Sequence, residues 1–197
     1  MAAALLVPAV VFGAAAWWNR AEVLREGTDR IERTAAIMHE QAAKIFDTAD
    51  LVLGRVDDRV RHLDWDAISA PETSTFLRTL EAPRDQLVSI WITDAAGIVR
   101  AGSQDWEAGT GIAGRDFFAA QRDRDAGTYL STAFVGRATQ IASFALSRRR
   151  STPDGRFDGI IHVALSPAYF ANFFEEAAPP LHPCRAAGPR RWRDPGP

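Results

Sequence analysis

Cysteine is almost absent from this chain. Its 197 residues include one cysteine, Cys184, so the sequence excludes an intrachain disulfide and any multi-cysteine zinc site. No charge of one sign dominates either, since 23 Lys and Arg stand against 25 Asp and Glu for a formal net charge of −2. Domains that bind nucleic acid are usually basic, so this balance argues against nucleic acid as a partner.

Common catalytic motifs are also missing. The chain has 4 histidines and 25 acidic residues, but no GxSxG, HExxH or P-loop pattern arranges them. Residues 109–114, GTGIAG, match GxGxxG formally. They follow a polar run rather than a buried strand and lack the later acidic residue, so we interpret them as a flexible loop. We expect no enzyme activity, no cofactor and no metal.

An uncharged leader opens the chain. Residues 2–18 contain no charged side chain and end in Trp17 and Trp18, which suit a membrane interface. This run is at the short limit for crossing a hydrocarbon core about 30 Å thick. We predict a membrane anchor or signal segment over residues 1–19, with a buried helix as a further alternative. The domain that follows is then expected outside the cytoplasm.

A long helical pattern occupies residues 20–66. Apolar residues recur at alternating spacings of four and three from Ile31 to Val56, which is typical of a heptad seam. Two interpretations stay open. The helix either packs along its own domain or forms a parallel dimer stalk that rises from the membrane, and both can hold over different parts of it.

Residues 67–178 alternate between strands and short helices. Ser69 is a candidate N-cap for a helix with Pro71 in its first turn. Residues 87–103 are predicted as a hairpin, because apolar residues alternate along them and Asp94 to Gly97 offers a tight turn. Further elements are expected as strands at residues 128–134, 141–147 and 156–166, a short helix at residues 115–122 and a helix from Pro167.

The resulting fold class is α+β with a PAS-like layout. It has a central antiparallel five-stranded sheet, a long N-terminal helix and short flanking helices, and a membrane anchor helix precedes it.

Several motifs follow one another in an order known from one family. They are the aspartate turn DAAG, the run RDFF, SRRR at a strand end, GRFDG and PAYF. Over about residues 88–174 they resemble the extracytoplasmic Cache (PAS-like) sensor domains of bacterial membrane receptors. The resemblance implies a small-ligand input domain in the inner membrane, with its sensor part in the periplasm or outside the cell. A histidine kinase is the favoured output; a diguanylate cyclase, a chemoreceptor or a membrane-anchored enzyme of unknown type is the alternative.

The resemblance also implies a ligand site. Its Arg-x-aromatic-aromatic motif corresponds to Arg115, Phe117 and Phe118. In the amino-acid-binding branch an Asp on the last strand holds the ligand's amino group. This chain has Ala164 there, which argues against an amino acid, and strand alternation puts His162 on the same face.

We therefore predict a small anionic ligand, such as a carboxylate, held by Arg115 through two parallel hydrogen bonds. His162 is a possible second contact. Arg148 and Arg149 are rivals for the role of Arg115. The structural alternative is that Arg115 only caps a neighbouring loop or forms a salt bridge to it, for instance with Asp105 or Glu107.

The same family leads us to expect a second membrane helix and a signalling domain, and neither is present in the sequence. After Ala178, proline, arginine and glycine interrupt any periodicity. We predict that residues 179–197 are a disordered or frameshifted tail of a receptor truncated before its output domain. The predicted partners are the small ligand, the membrane and a second copy that pairs through the stalk helix.

Overall fold

The computed structural model describes the backbone of residues 2–177 and the side chains of residues 11–176. The predicted tail at residues 179–197 lies outside the described residues. In chain order the elements are α1 (Ala2–Val60), α2 (Trp65–Ser69), α3 (Pro71–Glu81), β1 (Leu87–Thr93), β2 (Val99–Gly102), α4 (Asp116–Asp123), β3 (Tyr129–Leu130), β4 (Phe134–Val135), β5 (Ala142–Ser151), β6 (Phe157–Leu165) and α5 (Pro167–Ala177).

Helix α1 packs on its own domain only along its C-terminal part. Seam residues Ile45, Ala49, Val52 and Val56 are buried in the core, whereas Ile31 of the same seam is 71% exposed. Intradomain packing therefore accounts for the end of the helix, and the dimer stalk remains a prediction for its beginning. Among the described residues, no helix holds a stretch apolar enough to span a membrane.

The connection from α1 to α3 differs from the prediction. The long helix ends at Val60. Helix α2 was not predicted. Asp64 caps α2 by accepting a hydrogen bond from the Ala67 N–H at 2.8 Å. The prediction of Ser69 as the cap of α3 is wrong. Ser69 is the last residue of α2 and donates its hydroxyl to the Trp65 carbonyl, and α3 begins after Ala70 without a side-chain cap.

The sheet is antiparallel, with the strand order β2-β1-β6-β5-β3 and with β4 also paired to β5. The sequence predicted five strands, one of them at residues 128–134. That segment is instead two short strands, β3 and β4. Ser131 separates them, because its hydroxyl accepts the Ala145 N–H at 2.8 Å in place of a backbone carbonyl.

The two faces of the sheet have different cores. Alternate residues of β6, such as Ile161 and Val163, face the larger cluster formed with α1, α2 and α3. Ile160 on the other face joins a smaller cluster with Phe117 and Phe118. This second face, turned away from α1, carries the candidate site.

The β1–β2 turn forms as predicted around Asp94. Its carboxylate accepts the N–H groups of Ala96 and Ile98 at 3.0 and 2.9 Å. Gly97 has a φ of +79°, and a Cβ there would meet the backbone nitrogen of Ala113 at 2.9 Å. Glycine is needed here because the turn requires positive φ and because residues 109–114 pack directly against it.

Arg150 joins β5 to the end of α1. Strand β5 continues to Ser151, four residues beyond the predicted end at Ser147. Arg150 is 7% exposed and donates to the carbonyls of Val60 and Leu63 at 2.6 and 2.7 Å. Its guanidinium also pairs with Asp158 at 2.9 Å. A buried cation therefore binds the last carbonyl of α1 and one carbonyl of the turn that follows the helix, where cations are favoured.

Candidate ligand-binding site

A small cavity lies on the face of the sheet opposite α1, with a volume of about 40 Å³. Its floor comes from strands β1, β5 and β6, and its walls come from residues 110–112, the start of α4 and the β4–β5 hairpin. The lining includes Ser89, Trp91, Val99, Thr110, Ile112, Arg115, Phe117, Phe134, Arg137, Ser143, His162 and Ala164.

Four of the six predicted site residues line this cavity: Arg115, Phe117, His162 and Ala164. Phe118 does not, because it packs edge-to-face on Phe157 with ring centroids 5.4 Å apart. Successive residues of a helix project about 100° apart, so Phe117 and Phe118 point in different directions.

Neither rival arginine of β5 reaches the cavity. The prediction that Arg148 lines the site is contradicted by its position: it projects from the opposite face of the sheet and pairs with Asp50 of α1 at 2.7 Å. Arg149 donates to the carbonyls of Gln121 and Arg122 and lies over the ring of Phe157. Both arginines have structural partners away from the cavity.

Arg115 stands at the cavity near the charge of Asp116 but is not paired with it. Its guanidinium donates to the Val135 carbonyl at 2.8 Å and lies 4.6 Å from the centroid of the Phe134 ring. Within the described residues it forms no salt bridge, and Asp105, one suggested partner, pairs with Arg78 instead. Partial burial, followed by the nearby charge of Arg137, lowers the pKa of Arg115 from its ordinary value. Both causes favour the approach of an anion.

Arg137 is a second cation that sequence reasoning missed. It lies in the β4–β5 hairpin, lines the cavity and donates to the Gly111 carbonyl at 2.6 Å. No Asp or Glu is among the lining residues. The cavity is therefore electropositive. The sequence offered little signal for this residue, since an arginine in a loop is usually solvated.

His162 lies on the cavity floor and is 4% exposed. Its ring lies 4.9 Å from that of Phe117, and its Nδ1 has no hydrogen-bond partner among the described residues. Burial, followed by the charge of Arg115, lowers the pKa of His162 to about 3. The imidazole is consequently neutral near pH 7.

No family model and no curated protein matches this chain. Solved structures do match. The extracellular domain of rpHK1S-Z16, a protein assigned as a histidine kinase, is 27% identical with a TM-score of 0.61, covering 71% of this chain and 58% of that one. The chain has the fold of a Cache (PAS-like) sensor domain.

Two further structures share this sensor-domain fold at lower identity. The sensor domain of the Vibrio cholerae histidine kinase DctB is 13% identical with a TM-score of 0.59, covering 78% of this chain and 59% of that one. The ligand-binding domain of the Campylobacter jejuni chemoreceptor Tlp3, solved with 4-methylisoleucine, is 12% identical with a TM-score of 0.57, covering 71% of this chain and 58% of that one.

These neighbours confirm the resemblance to extracytoplasmic sensor domains that the sequence motifs indicated. They support a ligand-sensing input domain as the function class. The sensor domain described here spans less than two thirds of the length of each of the three, at 58, 59 and 58%.

The neutral state of His162 predicts how the stability of the sensor domain depends on pH. The pKa of His162 is about 3 in the folded protein, against 6.5 as its ordinary value. Between these values the unfolded chain binds the extra proton, so the free energy of unfolding is highest above pH 6.5 and falls as the pH falls toward 3. The slope from this residue is at most about 1.4 kcal/mol per pH unit.

Urea unfolding at a series of pH values measures this slope. His162→Gln is expected to reduce the slope between pH 6.5 and 5, where few carboxylates titrate. His39→Gln on the exposed face of α1 is the matched control and should leave the slope unchanged. An unchanged slope in His162→Gln would contradict burial of the neutral ring.

Proposed function

We propose that this sensor domain is the extracytoplasmic input domain of a bacterial signal-transduction receptor and that its ligand is a small carboxylate held by Arg115. The observation that carries the proposal is the cavity itself, which contains two arginines and no acidic residue. A guanidinium that donates only to a carbonyl gains more from a carboxylate, because a charge-assisted hydrogen bond is about twice as strong as a neutral one.

Amino acids fit this cavity poorly. The Tlp3 domain was solved with 4-methylisoleucine, but here Ala164 occupies the position where the resemblance implies an ammonium-binding Asp. Since Arg115 and Arg137 are the charged lining residues, an ammonium group would be buried among like charges.

Calorimetry of a soluble fragment covering residues 20–178 tests the ligand class. A panel of small organic acids and amino acids near neutral pH is expected to include at least one acid that binds, whereas the amino acids should not bind. Binding confined to amino acids would contradict the proposal.

The proposed parent is a receptor histidine kinase, and a diguanylate cyclase or chemoreceptor is the alternative. Support comes from the two kinase-derived structural neighbours. The proposal assigns no catalytic role to this chain, because its motifs and its cavity provide a binding site rather than a nucleophile with a base.

The proposed location is the bacterial inner membrane, with residues 1–19 as the anchor and the sensor domain outside the cytoplasm. Trp17 and Trp18 are 75 and 74% exposed on α1, as expected of residues that meet a membrane interface. A reporter that is active only after export, fused after Phe174, should be active. An inactive fusion of normal abundance would contradict this topology.

A parallel homodimer through the N-terminal part of α1 is the final element of the proposal. Ile31 of the predicted seam is exposed, and burying a large apolar side chain against a second copy is favourable by about 1.5–3 kcal/mol. In a chain with Cys184 replaced by serine, Ile31→Cys should form a disulfide-linked dimer in membranes.

Arg33→Cys is the matched control for this cross-link, since residue 33 lies away from the seam on the same helix. We expect it to cross-link weakly. Equal cross-linking at both positions would indicate random collision rather than a seam.

A further inference from the structure

One residue of the cavity floor, His162, carries a buried polar atom that no described residue satisfies. The Ser89 hydroxyl accepts the Trp91 indole N–H at 2.7 Å, and the Ser143 hydroxyl donates to the Ile141 carbonyl at 3.2 Å. By contrast, Nδ1 of His162 is buried without a partner. Buried polar atoms in folded proteins are nearly always hydrogen-bonded, so this atom calls for a partner that the chain does not supply.

The surroundings of His162 keep its ring uncharged. The charged groups that line the cavity are Arg115 from the start of α4 and Arg137 from the β4–β5 hairpin, and the lining contributes no Asp or Glu from any element. Both cations disfavour an imidazolium, as does burial. The low pKa of about 3 agrees with this geometry. A neutral imidazole offers one N–H donor and one acceptor, so it can pair with a hydroxyl or a keto oxygen without taking up a proton.

We propose that the ligand is a small 2-hydroxy or 2-oxo acid, whose carboxylate binds Arg115 and whose neutral oxygen binds Nδ1 of His162. This inference rests on the proposed function and narrows its ligand class. The two ligand groups lie close together along the skeleton, because the cavity has a volume of only about 40 Å³. A hydroxyl donates to Nδ1 in one tautomer, and a keto oxygen accepts from it in the other.

Three related classes of acid are expected to bind this cavity less tightly. A plain alkyl acid displaces water from the cavity but offers Nδ1 no hydrogen-bond partner, so its affinity is lower. An amino acid puts an ammonium group where no carboxylate lines the cavity. A dicarboxylate buries its second charge beside a neutral ring, which is unfavourable unless His162 takes up a proton.

A matched series of three-carbon acids tests the inference on the full chain of 197 residues. Propionate, lactate, pyruvate and alanine share a carboxylate and differ only at the neighbouring carbon, whereas malonate carries a second carboxylate in place of the methyl group of propionate. We expect lactate or pyruvate to bind at least about tenfold more tightly than the other three by calorimetry.

The variant His162→Phe separates the role of the ring nitrogen from its packing. It should abolish the preference, so that lactate and pyruvate bind no more tightly than propionate does to the same variant. Retention of the full preference by a folded His162→Phe variant would overturn the assignment of His162.

Proton uptake on binding gives a second readout that needs no variant. It is measured by calorimetry of the wild-type chain in two buffers with different ionisation enthalpies. Recognition of a neutral oxygen predicts no uptake near neutral pH. A second ligand carboxylate would raise the pKa of His162 and therefore cause uptake, since an adjacent anion favours the charged ring.

The outcomes separate this inference from the proposed function. Tightest binding of propionate or malonate would overturn the hydroxy- or oxo-acid inference and leave a carboxylate sensor in place. Tightest binding of alanine would overturn the inference and would also contradict the proposed ligand class. Binding of none of the five acids would overturn the inference, and the wider panel of organic acids then tests the proposed function separately.

Discussion

Replacing Arg115 by alanine is expected to weaken the binding of a small carboxylate by about 2 kcal/mol or more, which is about 30-fold in Kd. The guanidinium is partly buried and has no salt-bridge partner among the described residues, so its loss removes the only cation on the α4 side of the cavity. Calorimetry with the best-binding acid of the panel measures the change.

Two variants make this experiment specific. Arg115→Lys keeps the charge but loses the planar fork, so its affinity should lie between those of the wild type and Arg115→Ala. Arg148→Ala removes the same residue type from the opposite face of the sheet, where it pairs with Asp50, and should leave Kd unchanged. Unchanged affinity in Arg115→Ala would remove this cavity from consideration as the site.

The largest expected effect on stability is that of Arg150→Ala. Its side chain is 8% exposed and pairs with Asp158, which is 20% exposed. Removing the cation takes away the ion pair of Asp158, which keeps a hydrogen bond from the Trp65 indole N–H at 3.0 Å. It also removes the side-chain donor of the Val60 and Leu63 carbonyls. Loss of one member of a buried ion pair costs about 3–5 kcal/mol, so we expect the free energy of unfolding in urea to fall by about that amount.

Arg148→Ala is again the matched control, since it removes an arginine from the same strand and the same face. The Arg148–Asp50 pair is 32 and 45% exposed, and solvent-exposed pairs contribute only about 0–1 kcal/mol. Similar losses of stability in the two variants would contradict the distinct role assigned to Arg150.

Local patterns predicted most of the elements because their signals are local. The alternation in β1 and the Asp94 turn depend on neighbours within about five residues. Helix α2 was missed because its five residues continue a helical pattern. The split between β3 and β4 depends on the Ser131 hydroxyl bonding to Ala145, a contact that sequence spacing does not reveal.

Part of the cavity lining was predicted from the sequence, again because strand alternation is a local signal. Strand alternation placed His162 and Ala164 on one face, and both line the cavity. The same alternation applied to β5 would have excluded Arg148, which shares its face with Leu146 rather than with Ser147. Arg137 enters the site through the path of the β4–β5 hairpin, so only the tertiary fold reveals it.

The two arginine contacts on α1 also give the long helix the mechanics of a lever. Strand β5 holds α1 at Asp50 and at Val60, two points about 15 Å apart along the helix axis. The segment before Ile45 extends about 65 Å beyond the part that packs on the domain. The far end of the helix lies about 72 Å from the contact at Asp50, so a 1 Å shift of one contact relative to the other swings that end by about 5 Å. A shift at these contacts that is too small to change the size of the cavity noticeably therefore moves the far end of α1 by about the distance between neighbouring side chains.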